Sequence, residues 1–266
     1  MSTFFLCPPD YYGIEYEINP WMRTTRNSHF DLARQQWQAL HTLLREILSI
    51  RIEQIAPVRG LPDMVFTANA GLVVGNRFIG SRFRHDVRQG ETVHYEKWFC
   101  AHQFEEVLPP TDIYFEGEGD ALWVGERLFL GYGMRTDASA APWLAKTLDC
   151  PVIGLELVDP RFYHLDTCFC PLDDRRALYY PPAFSPSAQK QIRASVPNSI
   201  AIEDHDALQF GANAIVVKNQ IVLNTGCIAL TKTLLEEGLT VHPLDFSEFI
   251  KAGGSAKCLI LQLGKM

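Results

Sequence analysis

The residue types best suited to chemistry stand at five places in the chain. They are Asn69 in Phe66-Thr-Ala-Asn69, the acidic run Phe115-Glu-Gly-Glu-Gly-Asp120, His164-Leu-Asp166, Gly211-Ala-Asn213, and Cys258 at the end of Gly253-Gly-Ser-Ala-Lys-Cys258. A cysteine attacks as its thiolate, and a nearby cation favours that form over a thiol whose ordinary pKa is about 8.5. A histidine can give or take a proton near neutral pH. Gathered in one pocket, a cysteine, a histidine and several carboxylates could carry out nucleophilic catalysis with proton transfer to a leaving group. Taken singly, each has an ordinary explanation. Cys258, beside Leu-Ile-Leu, reads as a small buried hydrophobe. The acidic run reads as a turn or a weak Ca²⁺ loop, though it lacks EF-hand spacing. The paired glycines before Cys258 read as a bend. Cys168 and Cys170, alternating with Phe169, read as core, and His29, His41, His85, His94, His102, His205 and His242 read as structural.

A repeated plan decides between these readings, because it supplies the elements that would bring the five places together. Gly71-Leu-Val-Val-Gly-Asn-Arg-Phe-Ile-Gly80 reads as two short strands around a Gly-Asn turn. The plan recurs at Ala121–Leu130 and Ala214–Leu223, with a longer-looped version at Thr167–Tyr180. Each hairpin leads to a helical candidate, over 95–103, Ser139–Leu148, Ser185–Val196 and Cys227–Glu237, and then to a strand near Glu106–Leu108, Val152–Leu157, Ile200–Glu203 or Thr240–Pro243. Ser185-Pro186 is a favourable N-cap and first-turn pair. A fifth helix over about Phe30–Leu48 and a strand over Arg51–Ile55 lack a local hairpin; Phe4–Cys7 and Lys257–Leu263, from the two chain ends, would supply it. The expectation is an α/β, five-bladed ββαβ pseudo-symmetric propeller, one domain over 1–266, closed by its termini. The informative polar residues precede each hairpin, so rotation about one axis would carry all five sets to one end of the ring.

Composition narrows the function classes. The 266 residues are 47% hydrophobic and 21% charged, enough to bury a core. A net charge of -7 argues against a general nucleic-acid binder. No run of about 18 apolar residues predicts a membrane span, and the first residues lack a secretion signal's basic and apolar regions. Seven cysteines without C-x-x-C spacing fit free thiols in a reducing cytoplasm, with no metal site expected. No Gly-rich phosphate loop is present.

The motifs Glu17-Ile-Asn-Pro-Trp-Met22, Asp63-Met-Val-Phe-Thr-Ala-Asn-Ala-Gly71, Phe115–Leu122, Arg135-Thr-Asp137, His164-Leu-Asp166 and Gly253–Cys258 resemble those of the guanidine-modifying (pentein) superfamily, which contains arginine deiminases, dimethylargininases and glycine amidinotransferases. The chain is most similar to the arginine dihydrolase catalytic domain, through its Asn-Pro-Trp-Met and Phe-Thr-Ala-Asn segments. Dihydrolases with a long C-terminal extension exist, and an activity of that extension is not carried over. The resemblance implies no cofactor, L-arginine as the small-molecule substrate, no nucleic-acid or membrane partner, and compatibility with a homo-oligomer. It implies Cys258 as nucleophile on the guanidinium carbon, His164 as general acid then base, and Glu116 as the group holding a guanidinium or imidazolium. Relatives with Glu-Gly-Gly-Asp are one residue shorter in the acidic loop, so Glu118 stays open as the alternative to Glu116. Substrate contacts would come from Asn19, Asn69, Asp120, Asp166 and Ala252, with Arg135 or Arg88 clamping the carboxylate.

Three residues in that set carry a chemical argument of their own. On an extended chain, His164 and Asp166 would share one face. Asn69 stands where deiminases have aspartate; its amide offers both donors and an acceptor, so it could hold a cationic guanidinium and a neutral ureido group alike. That suits two successive hydrolyses, from arginine through citrulline to ornithine. Dimethylargininase or arginine deiminase is the alternative. A non-catalytic ribosome-associated protein is a further class, disfavoured by the presence of Cys258, His164 and the acidic loop and by the negative charge.

Overall fold

The computed structural model describes residues 2–264. Strand β1 (Thr3–Leu6) pairs in parallel with β2 (Arg51–Gln54), across helix α1 (Phe30–Thr42), which widens into a π-helical turn over Leu43–Ile47. Four local units follow. The hairpin β3 (Gly71–Val74) and β4 (Arg77–Gly80) leads through α2 (Asp86–Ala101) to β5 (Glu105–Val107). The next is β6 (Ala121–Val124), β7 (Arg127–Tyr132), α3 (Ala140–Leu148) and β8 (Val152–Glu156). Then come β9 (Phe169–Pro171), β10 (Arg176–Tyr179), α4 (Pro186–Ser195) and β11 (Asn198–Ala201). A short α5 (Asp204–Leu208) precedes β12 (Ile215–Val217), β13 (Gln220–Asn224), α6 (Ile228–Glu236) and β14 (Thr240–Leu244). After α7 (Ser247–Ile250), β15 (Leu261–Leu263) returns to pair antiparallel with β1. Among the described residues this gives five three-stranded sheets, each with one antiparallel and one parallel pairing.

The local chemistry explains the repetition. Two-residue hairpins match strand twist when the turn takes positive φ; Gly75 (φ 61°) and Gly125 (φ 59°) supply it, and Lys218 (φ 57°) does so in the third tight turn. The parallel third strand needs a crossover, which the helix provides. Ser185 accepts a hydrogen bond from the Ala188 N–H and caps α4. Phe4, Leu72, Leu122, Phe169 and Ile215, one from the first or second strand of each sheet, all face one cavity of about 360 Å³. The five sheets therefore surround a common axis, and the apolar faces between neighbours form the core. Phe5 of β1 packs on Tyr95, Trp98 and Phe99 of α2, with ring centroids 6.3, 4.5 and 5.3 Å away.

Three expectations are corrected. Helix α2 begins at Asp86, nine residues before the expected 95, because Gly90 and the β-branched Thr92 and Val93 weaken the helical pattern of its first half. The expected strand Lys257–Leu263 is a 3₁₀ turn over Lys257–Leu259 followed by the shorter β15. His164 and Asp166 do not lie on one extended strand. His164 caps a 3₁₀ turn over Leu165–Thr167, so the two side chains serve different partners.

Candidate active site

The five polar places arrive at one end of the ring by a shared device. A single 3₁₀ turn precedes β3 (Thr67–Asn69), β6 (Gly117–Gly119), β9 (Leu165–Thr167) and β15 (Lys257–Leu259). Before β12, the turn after α5 carries Asn213. The turns place Asn69 and Cys258 within them and Glu116 and His164 immediately before them, and Asn69, His164 and Cys258 line one cavity. Gly253 adopts φ +85°, and a Cβ there would stand 2.8 Å from the Tyr163 hydroxyl. Glycine is thus required at the bend, whose carbonyl accepts from the Tyr163 hydroxyl at 2.8 Å; Tyr163 and Cys258 line the same cavity.

Glu116 is fully buried. Its Oε2 meets His164 Nε2 at 2.7 Å and Arg135 Nη1 at 3.2 Å, while Oε1 accepts from the Arg84 backbone N–H at 3.0 Å. Burial would raise its pKa, but the Arg135 guanidinium and the His164 hydrogen bond hold it well below the usual carboxylate range. An ionised Glu116 makes Nε2 the protonated nitrogen of His164, so Nδ1 carries the lone pair. Burial, helped by Arg135 and Arg88 and opposed by Glu116, lowers His164 to about 4. The imidazole is therefore neutral at pH 7 and able to accept a proton. Cys258 Sγ lies 3.4 Å from Asp166 Oδ2 and 3.1 Å from Asn213 Nδ2. Burial first, then Asp166, pushes the thiol well above its ordinary value, and burial raises Asp166 to about 7 against the pull of Lys257.

Glu118 lies elsewhere. Its Oε2 accepts from Lys257 Nζ at 3.0 Å and from the Gln262 N–H at 2.9 Å, and it lines the axial cavity rather than the one holding Cys258. Of the two open candidates, only Glu116 touches His164. Asp120 is a correction: it does not line the cavity. Its Oδ2 accepts from Thr136 Oγ1 at 2.7 Å and its Oδ1 from the Leu165 N–H at 3.0 Å. Thr136 Oγ1 in turn accepts from the Glu116 N–H, so Asp120 braces the strands behind Glu116 and His164.

Arg88 and Arg135 are each 3% exposed and both line the cavity, together with Asn19, Asn69, Ala252 and Cys258. Arg88 bonds Glu91 through Nε (2.8 Å) and Nη2 (2.9 Å) and gives Nη1 to Asn69 Oδ1 at 3.0 Å. Asn69 thus accepts from Arg88 through Oδ1 and donates one Nδ2 N–H to the Glu116 carbonyl at 3.2 Å, with Nδ2 packed against Gly119. One lone pair of Oδ1 and one N–H of Nδ2 are left outside these two bonds. Asn19 is also tied up, accepting from the Trp21 N–H at 2.9 Å and donating to the Ala252 carbonyl at 3.0 Å, so it braces the rim segment.

Two residues stood in the quoted motifs without being assigned a role. Asp63 is 2% exposed, lines the cavity, and has an Oδ1 without a hydrogen-bond partner. A buried, unpaired carboxylate oxygen suits an ammonium group; its place six residues before Asn69 was the one signal available. Asn213 stood in a repeated polar position, but its contact with Cys258 depends on how two distant turns pack.

The cavity thus joins a thiol, a neutral imidazole on an ionised glutamate, two buried guanidiniums and an unpaired carboxylate oxygen. Residues 9–265 match the family described as N,N dimethylarginine dimethylhydrolase, eukaryotic. N(G),N(G)-dimethylarginine dimethylaminohydrolase of Mycobacterium tuberculosis is 42% identical over 98% of this chain and 85% of its own length. This chain belongs to the dimethylarginine dimethylaminohydrolase family. Within that family's reach is the bifunctional arginine dihydrolase/ornithine cyclodeaminase ArgZ of Synechocystis, 44% identical over 97% of this chain. The chain spans 37% of the length of that relative. A solved structure of the ArgZ N-terminal domain, an asparagine-to-serine variant covalently bound to a reaction intermediate, superposes with a TM-score of 0.96 at 42% identity, covering 100% of this chain and 98% of that one. Members of the family act on C–N bonds of guanidino compounds, and the cavity has the groups for that chemistry.

Proposed function

We propose that this chain, read as one catalytic domain, is an arginine dihydrolase: L-arginine and two waters give L-ornithine, two ammonia and CO₂. The observation that supports the reading is an amide, Asn69, in the cavity that holds Cys258, with Arg88 on its Oδ1; in this reading its second N–H goes to a ureido oxygen. In this reading the cationic guanidinium supplies the charge that the buried thiol lacks. Cys258 passes its proton to the neutral His164, and the thiolate forms a C–S bond with the guanidinium carbon. The imidazolium, steadied by Glu116, returns a proton to the departing nitrogen, and ammonia leaves. The neutral imidazole then takes a proton from water, which attacks the thiouronium carbon, and the C–S bond breaks to give citrulline. A carboxylate at position 69 would present no donor to the new carbonyl oxygen; the amide does. Citrulline is held and attacked again, the second ammonia departs, and hydrolysis leaves a carbamate that loses CO₂. At the other end of the substrate, Arg135 suits the carboxylate and Asp63 the ammonium. A reducing cytoplasm belongs to this reading, because the reaction needs Cys258 as a free thiol.

The similarity to the Mycobacterium tuberculosis dimethylaminohydrolase favours a second reading, in which N,N-dimethylarginine gives citrulline and dimethylamine. Mass spectrometry of the products from guanidino-¹³C arginine separates the two. Ornithine with labelled CO₂ supports the dihydrolase, and stoichiometric labelled citrulline refutes it. Turnover of dimethylarginine but not arginine supports the second reading. Cys258→Ser should bind arginine and turn over neither substrate.

A further inference from the structure

We propose that Asn213 is a catalytic residue of this site: its side-chain N–H donates to the Cys258 sulfur, holds the thiolate once the proton has left, and aims it at the reacting carbon. The inference deepens the proposed function and rests on Cys258 being the nucleophile.

Asn213 is fully buried, and its amide is used at both ends. Oδ1 accepts from the backbone N–H of Ser255 at 3.0 Å and of Cys258 at 3.2 Å. Nδ2 donates to the Asp166 carbonyl at 2.9 Å and to Cys258 Sγ at 3.1 Å. The Asn213 carbonyl also accepts from the Lys257 N–H at 3.3 Å. One amide thus clamps the nucleophile's turn to the turn that carries Asp166, and still reaches the reacting atom itself. Geometry limits what else could stand there. Aspartate would keep the Oδ1 bonds but set a second negative charge against the sulfur and the Asp166 carbonyl. Serine is too short to span the Ser255 N–H and the sulfur together.

The electrostatic need is visible around the thiol. Asp166 faces the sulfur from its own turn; His164, bonded to Glu116, lines the same cavity with Asp63, Arg88, Arg135 and Tyr163; and Lys257, on the nucleophile's turn, is paired with Glu118. Burial and Asp166 both oppose ionisation of Cys258, while Asn213 and the Ser255 N–H favour it. Among these favouring groups, Asn213 is the one whose side chain can be changed. A neutral donor lowers the cost of the thiolate without repelling the cationic substrate, as a lysine or arginine at that place would.

The test is alkylation of Cys258 by neutral iodoacetamide across a pH series, read at that residue by peptide mass spectrometry, in wild type, Asn213→Ala and Asn213→Asp. The expected result is a midpoint raised by about one pH unit or more in both variants, because the thiolate is the reacting form. With arginine, kcat should fall about tenfold or more while KM stays within about threefold, the pattern of a group acting on the reacting atom rather than on substrate binding. An unmoved midpoint in a variant that still binds arginine by calorimetry overturns the proposal. Should neither variant fold, the wild-type protein decides: the Asn213 side-chain amide resonances of ¹⁵N-labelled enzyme should titrate with the Cys258 alkylation midpoint and lose that titration in Cys258→Ala. Resonances that ignore Cys258 ionisation overturn it. Product analysis tests the dihydrolase reading separately, since a citrulline-releasing enzyme would still show the Asn213 effect.

Discussion

At the residue scale, each side chain in the cavity is held by a partner that decides which of its atoms stays available. Asn69 is the clearest case, since Arg88 takes its oxygen. Asn69→Asp would keep that bond but turn an acceptor toward the Glu116 carbonyl and remove the donor for a ureido oxygen. Leaving such a buried group unpaired costs about 1–3 kcal/mol, or about one to two orders of magnitude in rate. The first hydrolysis should survive in part and citrulline should accumulate, measured as the citrulline to ornithine ratio; an unchanged ratio would refute this account of Asn69. His164 gives a pH prediction. Its folded pKa of about 4 lies below the ordinary value of 6.5, so the unfolded chain binds the proton first. Its contribution to stability is complete above pH 6.5 and is lost as pH falls toward 4. Wild type should therefore lose more Tm between pH 7 and pH 5 than His164→Gln does, when both are melted in the same buffers. Equal losses would mean that the imidazole is already charged in the folded protein.

At the scale of elements, the 3₁₀ turns before the hairpins are the devices that convert a structural repeat into a site. They were not legible in the sequence, because a three-residue turn has no periodicity, and Phe-Thr-Ala-Asn or His-Leu-Asp-Thr reads equally well as the start of a strand. The hairpins and most of the helices were legible, since Gly-Asn and Gly-Glu turns and the Ser-Pro cap act locally. The Gly253 bend joins the two levels. Gly253→Ala would force a side chain into φ +85° and against the Tyr163 hydroxyl. A cost of about 1–2 kcal/mol is expected for the backbone conformation alone. The variant should show a lower Tm and reduced Cys258 alkylation by a neutral reagent. A melt and an alkylation rate both equal to wild type would mean that the bend tolerates a Cβ.

For the whole molecule, closure of the ring is the feature that matters. β1 supplies the middle strand of the sheet completed by β15, and Phe5 carries that sheet onto α2 of the next unit. Phe5→Ala should cost about 3–5 kcal/mol, the usual range for a buried aromatic. Because β15 follows directly on the Cys258 turn, the loss should reach the site. Chemical denaturation should show a lower midpoint with a single transition, and Cys258 should alkylate faster at denaturant concentrations below that midpoint. A second, independent transition would mean that the closing sheet unfolds apart from the other four.

The sequence by itself determined the five-unit plan, the turn chemistry and the residue types of the cavity, because hairpin, cap and helix signals act within a few residues. It also carried the family, through motifs spread along the chain. Pairing was beyond it. Whether Glu116 or Glu118 meets His164 depends on one residue of loop geometry, and it is settled by Lys257 and the Gln262 backbone N–H claiming Glu118 from another unit. Asp120 could face a substrate or a scaffold, and Thr136 and Leu165 take both of its oxygens. Asn213 meets Cys258 across 45 residues of chain, and no local signal announces it. Charge state followed the same rule: burial and partner distances, set by packing, decide that His164 is neutral and Glu116 ionised.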